Sequence, residues 1–288
     1  MRRRTILTAL ILILTLALPW AAAAADPPGP TVRHQIRVAG LPTAGPADVV
    51  HTVNDFQPGQ QTSVHTHPGL TIVTVLAGEL TYRNPAERVY TVGEAFAERP
   101  DVVHYGLNAG TTPTRITTSF VIPKDATLTV PQPAQPSPAP PAPATPHQAR
   151  VPAVMPVGAY DVVSAIVDFA PGAQTPQQSH NGQVVSTVLT GELTVSSGGA
   201  EKPYKVGETF AEPPETVAQI RNVGSAPASI LSTYVLQQGA PLATPVAMPT
   251  TGEGGMVRGA ASLPVIVFLV GAGSLVAGWL VRRQRRPA

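Results

Sequence analysis

His65 and His67 are separated by one residue in His65-Thr66-His67, and a third histidine, His104, ends the run Arg99-Pro100-Asp101-Val102-Val103-His104. Side chains alternate along an extended strand, so His65 and His67 share a face, where two imidazoles make a ready metal chelate. Gly59 precedes the pair by five intervening residues, Gly78 closes the following strand, and Asn108 stands four residues beyond His104. The other role open to the three histidines is hydrogen bonding or ligand contact in a polar cavity. Around them no convincing general acid or base stands out. His51 is a candidate to line the same cavity from a neighbouring strand, or else a partly exposed strand histidine, and Glu79 falls in the turn after Gly78. Tyr105 alternates to the face opposite His104 and reads as packing. The chain has no cysteine, so thiol chemistry, thiolate ligands and disulfides are excluded.

The elements that must position these residues occur twice. A shift of 113 lays His34-Gln35-Ile36-Arg37-Val38 on His147-Gln148-Ala149-Arg150-Val151 and Thr74-Val75-Leu76-Ala77-Gly78-Glu79-Leu80-Thr81 on Thr187-Val188-Leu189-Thr190-Gly191-Glu192-Leu193-Thr194. Residues 34–82 repeat with 23 identities in 49 positions, and one inserted residue later Val92-Gly93-Glu94-Ala95-Phe96-Ala97-Glu98 meets Val206-Gly207-Glu208-Thr209-Phe210-Ala211-Glu212. Such self-similarity is a duplication. Short alternating runs rich in β-branched residues, such as Thr71-Ile72-Val73-Thr74-Val75-Leu76 and Ile116-Thr117-Thr118-Ser119-Phe120-Val121-Ile122, are separated by Gly, Pro and Asn turns. They predict an all-β sandwich or small barrel for each copy. His34 and His147, aligned outside the histidine run, read as structural. The second copy keeps only one histidine of the set: Gln178 stands for His65, His180 for His67, Val184 for Thr71 and Ala218 for His104. One histidine cannot hold a catalytic metal, so a structural or ligand-gripping role is expected there.

The first copy resembles the cupin family, whose motifs read G-x5-H-x-H-x3,4-E-x6-G and P-x-G-x2-H-x3-N. The resemblance spans both copies and implies two tandem jelly-roll barrels, or double-stranded β-helices, with His65, His67 and His104 as ligands of a divalent Fe, Mn or Zn ion. Two positions depart from the pattern: Thr71 stands where the family places its glutamate, and Asp101 replaces the glycine of the second motif. The expected site therefore has three histidines and no carboxylate, leaving open positions that suit Lewis-acid or oxygen chemistry. Two functions follow: a metal-dependent dioxygenase- or isomerase-like enzyme on a small molecule, or a non-catalytic module that binds a metal, sugar or other small ligand.

The remaining segments read as addressing signals and spacers. Arg2, Arg3 and Arg4 followed by an uncharged run ending in alanines predict a signal peptide over residues 1–25. Met248-Pro249-Thr250-Thr251-Gly252 resembles the LPxTG sorting signal with Met for Leu, and is followed by an apolar span at 260–281 and a basic tail at 282–288. The order predicts a membrane helix, with sortase cleavage after Thr251 or retention of the anchor as the two outcomes, and a cell-surface location in either case. The predicted domains are 31–123 and 147–237, with a Pro-rich linker at 124–146 and a spacer at 238–259. Eight of the sixteen residues 131–146 are proline, a composition that favours an extended polyproline spacer. Without the two ends the chain has 11 basic and 16 acidic residues, a net charge of about −5. Nucleic acid is not an expected partner of such a surface.

Overall fold

A computed structural model describes residues 26–43, 45–133 and 139–246, and these form strands and turns with no helix among them. The expected signal segment 1–25, the motif at 248–252 and the apolar span with its basic tail lie outside the described residues.

Each copy folds into a pair of facing sheets, the jelly-roll arrangement. In the first copy a five-stranded sheet has the order Ala144–Ala153, Ala47–Phe56, Thr114–Pro123, Leu70–Ala77, Ala95–Glu98. Opposite it lie Ala86–Thr91, Glu79–Asn84 and Tyr105–Leu107, together with the short pair His65–Thr66 and Val130–Pro131. The second copy repeats this with Thr31–Leu41, Tyr160–Phe169, Ala228–Gln237, Gly182–Thr190 and Thr209–Glu212 in one sheet.

The outermost strand of each large sheet is exchanged between the copies. Thr31–Leu41, which sequence similarity places with the first copy, pairs antiparallel with Tyr160–Phe169 of the second. Ala144–Ala153 pairs with Ala47–Phe56 of the first. Two arginines that are equivalent in the repeat accompany the exchange. Arg37 meets the buried Asp161 at 2.7 Å, and Arg150 meets the buried Asp48. Each arginine thus crosses to the aspartate of the other copy. Backbone amides of Gly40 and Gly239 also donate to Asp161, and that of Asp125 to Asp48. Burial alone would raise both carboxyls, but these donors and the arginines hold them below the ordinary range.

The described parts of the Pro-rich linker, residues 124–133 and 139–146, are correspondingly built into the fold. Val130–Pro131 pairs with His65–Thr66, Gln61 N donates to Pro141 O at 3.0 Å, and the strand Ala144–Ala153 begins within the expected linker. Proline is tolerated here because these are edge positions, where the missing N–H leaves no ladder bond unmade.

The strand period of two divides the side chains between two environments. Inside the first barrel pack Phe56, Val73, Leu80, Tyr82, Phe96 and Ile116. The alternate residues Val49, Leu70, Ile72 and Val121 face the second barrel and form one apolar cluster with its Tyr160, Val162, Val185 and Val235. The two barrels therefore pack against each other through their large sheets. Gly78 shows why this turn carries glycine: its φ is +68°, and a Cβ there would come within 2.5 Å of the Pro113 carbonyl.

Candidate metal centre

His65 and His104 face each other across a two-way backbone bridge, each amide donating to the other's carbonyl at 2.9 Å. His67 follows on the same side of its strand, and Asp101 N donates to its carbonyl at 3.0 Å. Asp101 itself adopts φ +62°, the left-handed conformation for which the family motif uses glycine. That conformation turns the chain back so that His104 returns to the histidine pair. Glu215, the equivalent of Asp101 in the second copy, has φ +60°.

All three imidazoles are buried, with ring centroids 4.4 to 4.9 Å apart. Each Nδ1 faces a backbone carbonyl: Ser63 O at 2.6 Å from His65, Leu128 O at 2.6 Å from His67, and Val102 O at 2.8 Å from His104. A carbonyl only accepts, so each Nδ1 carries the hydrogen, and this leaves each Nε2 turned inward. These ligand atoms lie within 4.8 Å of one another. Burial, the leading cause, with the two neighbouring histidines pushes His65 down to about 4, against the opposing pull of the Ser63 carbonyl and Glu98.

A buried carboxylate adjoins two of the three imidazoles. Glu98, only 6% exposed, places Oε2 3.1 Å from His67 Nε2 and Oε1 3.3 Å from His104 Nε2. Lone pairs from two nitrogens and a carboxylate cannot converge at such distances without a proton or a cation between them. A carboxylate thus stands beside the expected three-histidine cluster. Thr71 does hold the family's glutamate position, but Glu98 enters from the neighbouring strand, where it is the direct cross-strand partner of Thr71. The Thr71 hydroxyl is buried without a hydrogen-bond partner among the described residues. In sequence the run Phe-Ala-Glu is shared by both copies, as Phe96-Ala97-Glu98 and Phe210-Ala211-Glu212, so the repeat alone does not single out Glu98.

A cavity of about 400 Å³ opens beside the four groups, lined among others by Thr52, Asn54, Thr118, Leu128 and Gln148. His51 does not reach it. Thr52, Asn54 and Phe56 take the inward face of their strand, and alternation sends His51 the opposite way, into the interface between barrels. There it is buried between the hydroxyls of Thr187 and Thr233, each at 2.8 Å. Burial, aided by the charge of His147, pushes it down to about 3. Glu79 and Tyr105 also lie outside the cavity lining, and His34 and His147 sit on the two exchanged strands. Asn108 is structural: its amide donates to Phe56 O and Thr112 O, and Asn222 repeats both bonds in the second copy with Phe169 O and Ala226 O.

In the second copy a single histidine meets the equivalent carboxylate. His180 Nδ1 faces Leu242 O, and its Nε2 lies 3.6 Å from Glu212. Burial would lower the imidazole, yet Glu212 and the carbonyl outweigh it and hold its pKa above the ordinary value. A proton is sufficient to join this pair. Three converging imidazoles in the first copy, with a carboxylate beside two of them, fit a divalent cation of the Mn, Fe or Zn type, which takes nitrogen and oxygen ligands.

Two segments, residues 52–122 and 165–234, match the cupin domain. No curated protein matches the sequence. Among solved structures, oxalate decarboxylase of Bacillus subtilis, described for its Mn(II) centres, is similar at a TM-score of 0.52 and 12% identity, over 75% of this chain and 76% of that one. Vicilin from hazelnut, Corylus avellana, is similar at 0.52 and 11% identity, over 69% of this chain and 77% of its own. At such identities the likeness is one of fold.

Proposed function

We propose that this chain, which carries the cupin domain twice, uses the first copy to hold a divalent metal ion on His65, His67, His104 and Glu98 and to present it to a small molecule in the adjoining cavity. The observation that carries the reading is the convergence of three inward-turned Nε2 atoms beside one buried carboxylate, each imidazole fixed by a carbonyl behind it. A bound ion would supply Lewis-acid or redox chemistry at this point. The protein's own part is to orient the imidazoles through the carbonyls behind them, place Glu98 beside two of them and shelter the ligand within the barrel. Mn(II) is a natural first ion to test, since it is the metal named for the decarboxylase of similar fold.

The second copy, with His180 alone, serves as a packing partner and strand donor. The signal-like start, the sorting-like motif and the apolar span support display of both domains at the cell surface, held by the membrane or linked to the wall by a sortase.

Elemental analysis of the purified chain beside a His65→Ala/His104→Ala variant tests the metal reading. Close to one metal per chain is expected in the parent and little in the variant; equal, negligible content in both would overturn it. Oxygen uptake or turnover by the loaded protein would then separate an enzyme from a binding module.

A further inference from the structure

The cavity beside the donor set has a charge pattern that limits what can enter it. Among the described residues that line it there is no lysine or arginine. Glu98 is the one acidic side chain among those lining residues, so a bound ion would be the strongest positive charge facing the cavity. One anionic oxygen of a ligand can rest on that ion. A second carboxylate on the same ligand would be held in the barrel without a counter-charge, which desolvation penalises.

The wall beyond the centre is polar and uncharged. The sheet register aligns Gln148 with Thr52 and Thr52 with Thr118, so these three form one row across adjacent strands, all lining the cavity. Val73, the next residue in the row, continues it toward Phe96. Thr71 and Glu98 occupy the neighbouring row of the same face, one two-residue step away, or about 7 Å along the strands. Asn54 Nδ2 donates to Thr52 Oγ1 at 2.9 Å, which leaves the Thr52 hydrogen free to be given to a ligand. Gln148 stands on the strand Ala144–Ala153, contributed across the exchange.

From this arrangement, and resting on the metal reading above, we infer that the site takes a small molecule bearing at most one negative charge, with its anionic oxygen at the centre and a neutral hydroxyl or carbonyl on the Gln148–Thr52–Thr118 row. Dicarboxylates are disfavoured. The selective row is built jointly by the barrel and the exchanged strand, so the linker does more than connect the domains.

Three four-carbon probes separate the charge rule from size: 4-hydroxybutanoate, butanoate and succinate, titrated into the full chain loaded with Co(II) and followed by its visible absorption. 4-Hydroxybutanoate is expected to bind at least tenfold tighter than succinate and several-fold tighter than butanoate. Gln148→Arg is expected to bring succinate at least tenfold closer. Equal or tighter binding of succinate by the parent overturns the charge rule, and equal binding of butanoate and 4-hydroxybutanoate overturns the role of the row. Failure to take up cobalt overturns the metal reading itself, an outcome distinct from either.

Discussion

Glu98 lies directly across the ladder from Thr71, on the same inward face of the first barrel. The position that the family motif reserves for a carboxylate and the position that supplies one here are thus neighbours in space although 27 residues apart in sequence. Glu98→Gln should weaken metal binding at least tenfold, about 1.4 kcal/mol or more. Adding Thr71→Glu to that variant should recover much of the loss by returning the carboxylate from the opposite strand. Competition against a chromophoric chelator measures both, and an unchanged affinity for Glu98→Gln would remove the carboxylate from the donor set.

His51 makes the barrel interface sensitive to acid. Its pKa is held near 3 in the folded chain, chiefly by burial, against an ordinary value of about 6.5. Between these values the unfolded chain binds a proton that the folded chain does not. The stability tied to a neutral His51 is therefore fully present above pH 6.5 and is lost as pH falls toward 3, at roughly 1.4 kcal/mol per pH unit. Urea unfolding at pH 7.5 and pH 4.5 should show a larger acid loss in the parent than in His51→Gln, which can still hydrogen-bond but does not titrate. Equal losses would show that His51 is not the group responsible.

The exchanged arginines predict which charge reversals are tolerated. Arg37→Asp leaves Asp161 buried beside a like charge, and the cost should be of the order of 3–5 kcal/mol. Combining it with Asp161→Arg should restore part of that stability, whereas combining it with Asp48→Arg should lower stability further, because Asp48 pairs with Arg150. Chemical denaturation of the two double variants decides whether the strands are exchanged in solution.

The second barrel should behave differently from the first. His180→Gln is expected to leave the metal content of the chain unchanged while reducing its stability, since Glu212 would then be buried without its cationic partner. A fall in metal content without a fall in stability would move the metal to the second copy.

The proposed surface location is open to direct chemistry. The mature N-terminus should begin at Asp26, and substitution of Thr251 and Gly252 should release or relocate the chain if a sortase acts there. Recovery of an intact Met1 terminus from the cell surface would replace the cleaved signal with a retained one.

Much of the fold was legible because strand signals are local. Alternating apolar residues, glycine turns and the 113-residue repeat were enough to expect two all-β barrels, and the cupin resemblance led to jelly rolls, matched here by two sheets in each copy. The clustering of the three histidines was legible too: alternation over three consecutive residues puts His65 and His67 on one face, and the cupin resemblance added His104. Glu98 was not, because its place in the set depends on which strand lies beside Leu70–Ala77 and in what register. His51 was misplaced for a related reason: whether a strand face looks into a cavity or into a second barrel depends on how the barrels pack, which no local pattern records.

The duplicated Arg37 and Arg150, and the duplicated Asp48 and Asp161, state the same division most plainly. By itself the sequence determined that each copy would carry one arginine near its start and one aspartate on its next strand. It also determined that three imidazoles would lie at chelating spacing in one copy alone. Only the tertiary structure decided that each arginine meets the other copy's aspartate and that Leu128, Thr129, Ala142 and Pro143 from the expected linker line the cavity beside the histidines. Intra- and inter-copy pairing use identical residues. The choice between them rests on which exposed sheet edge each leading strand can reach, a long-range property that neither copy contains.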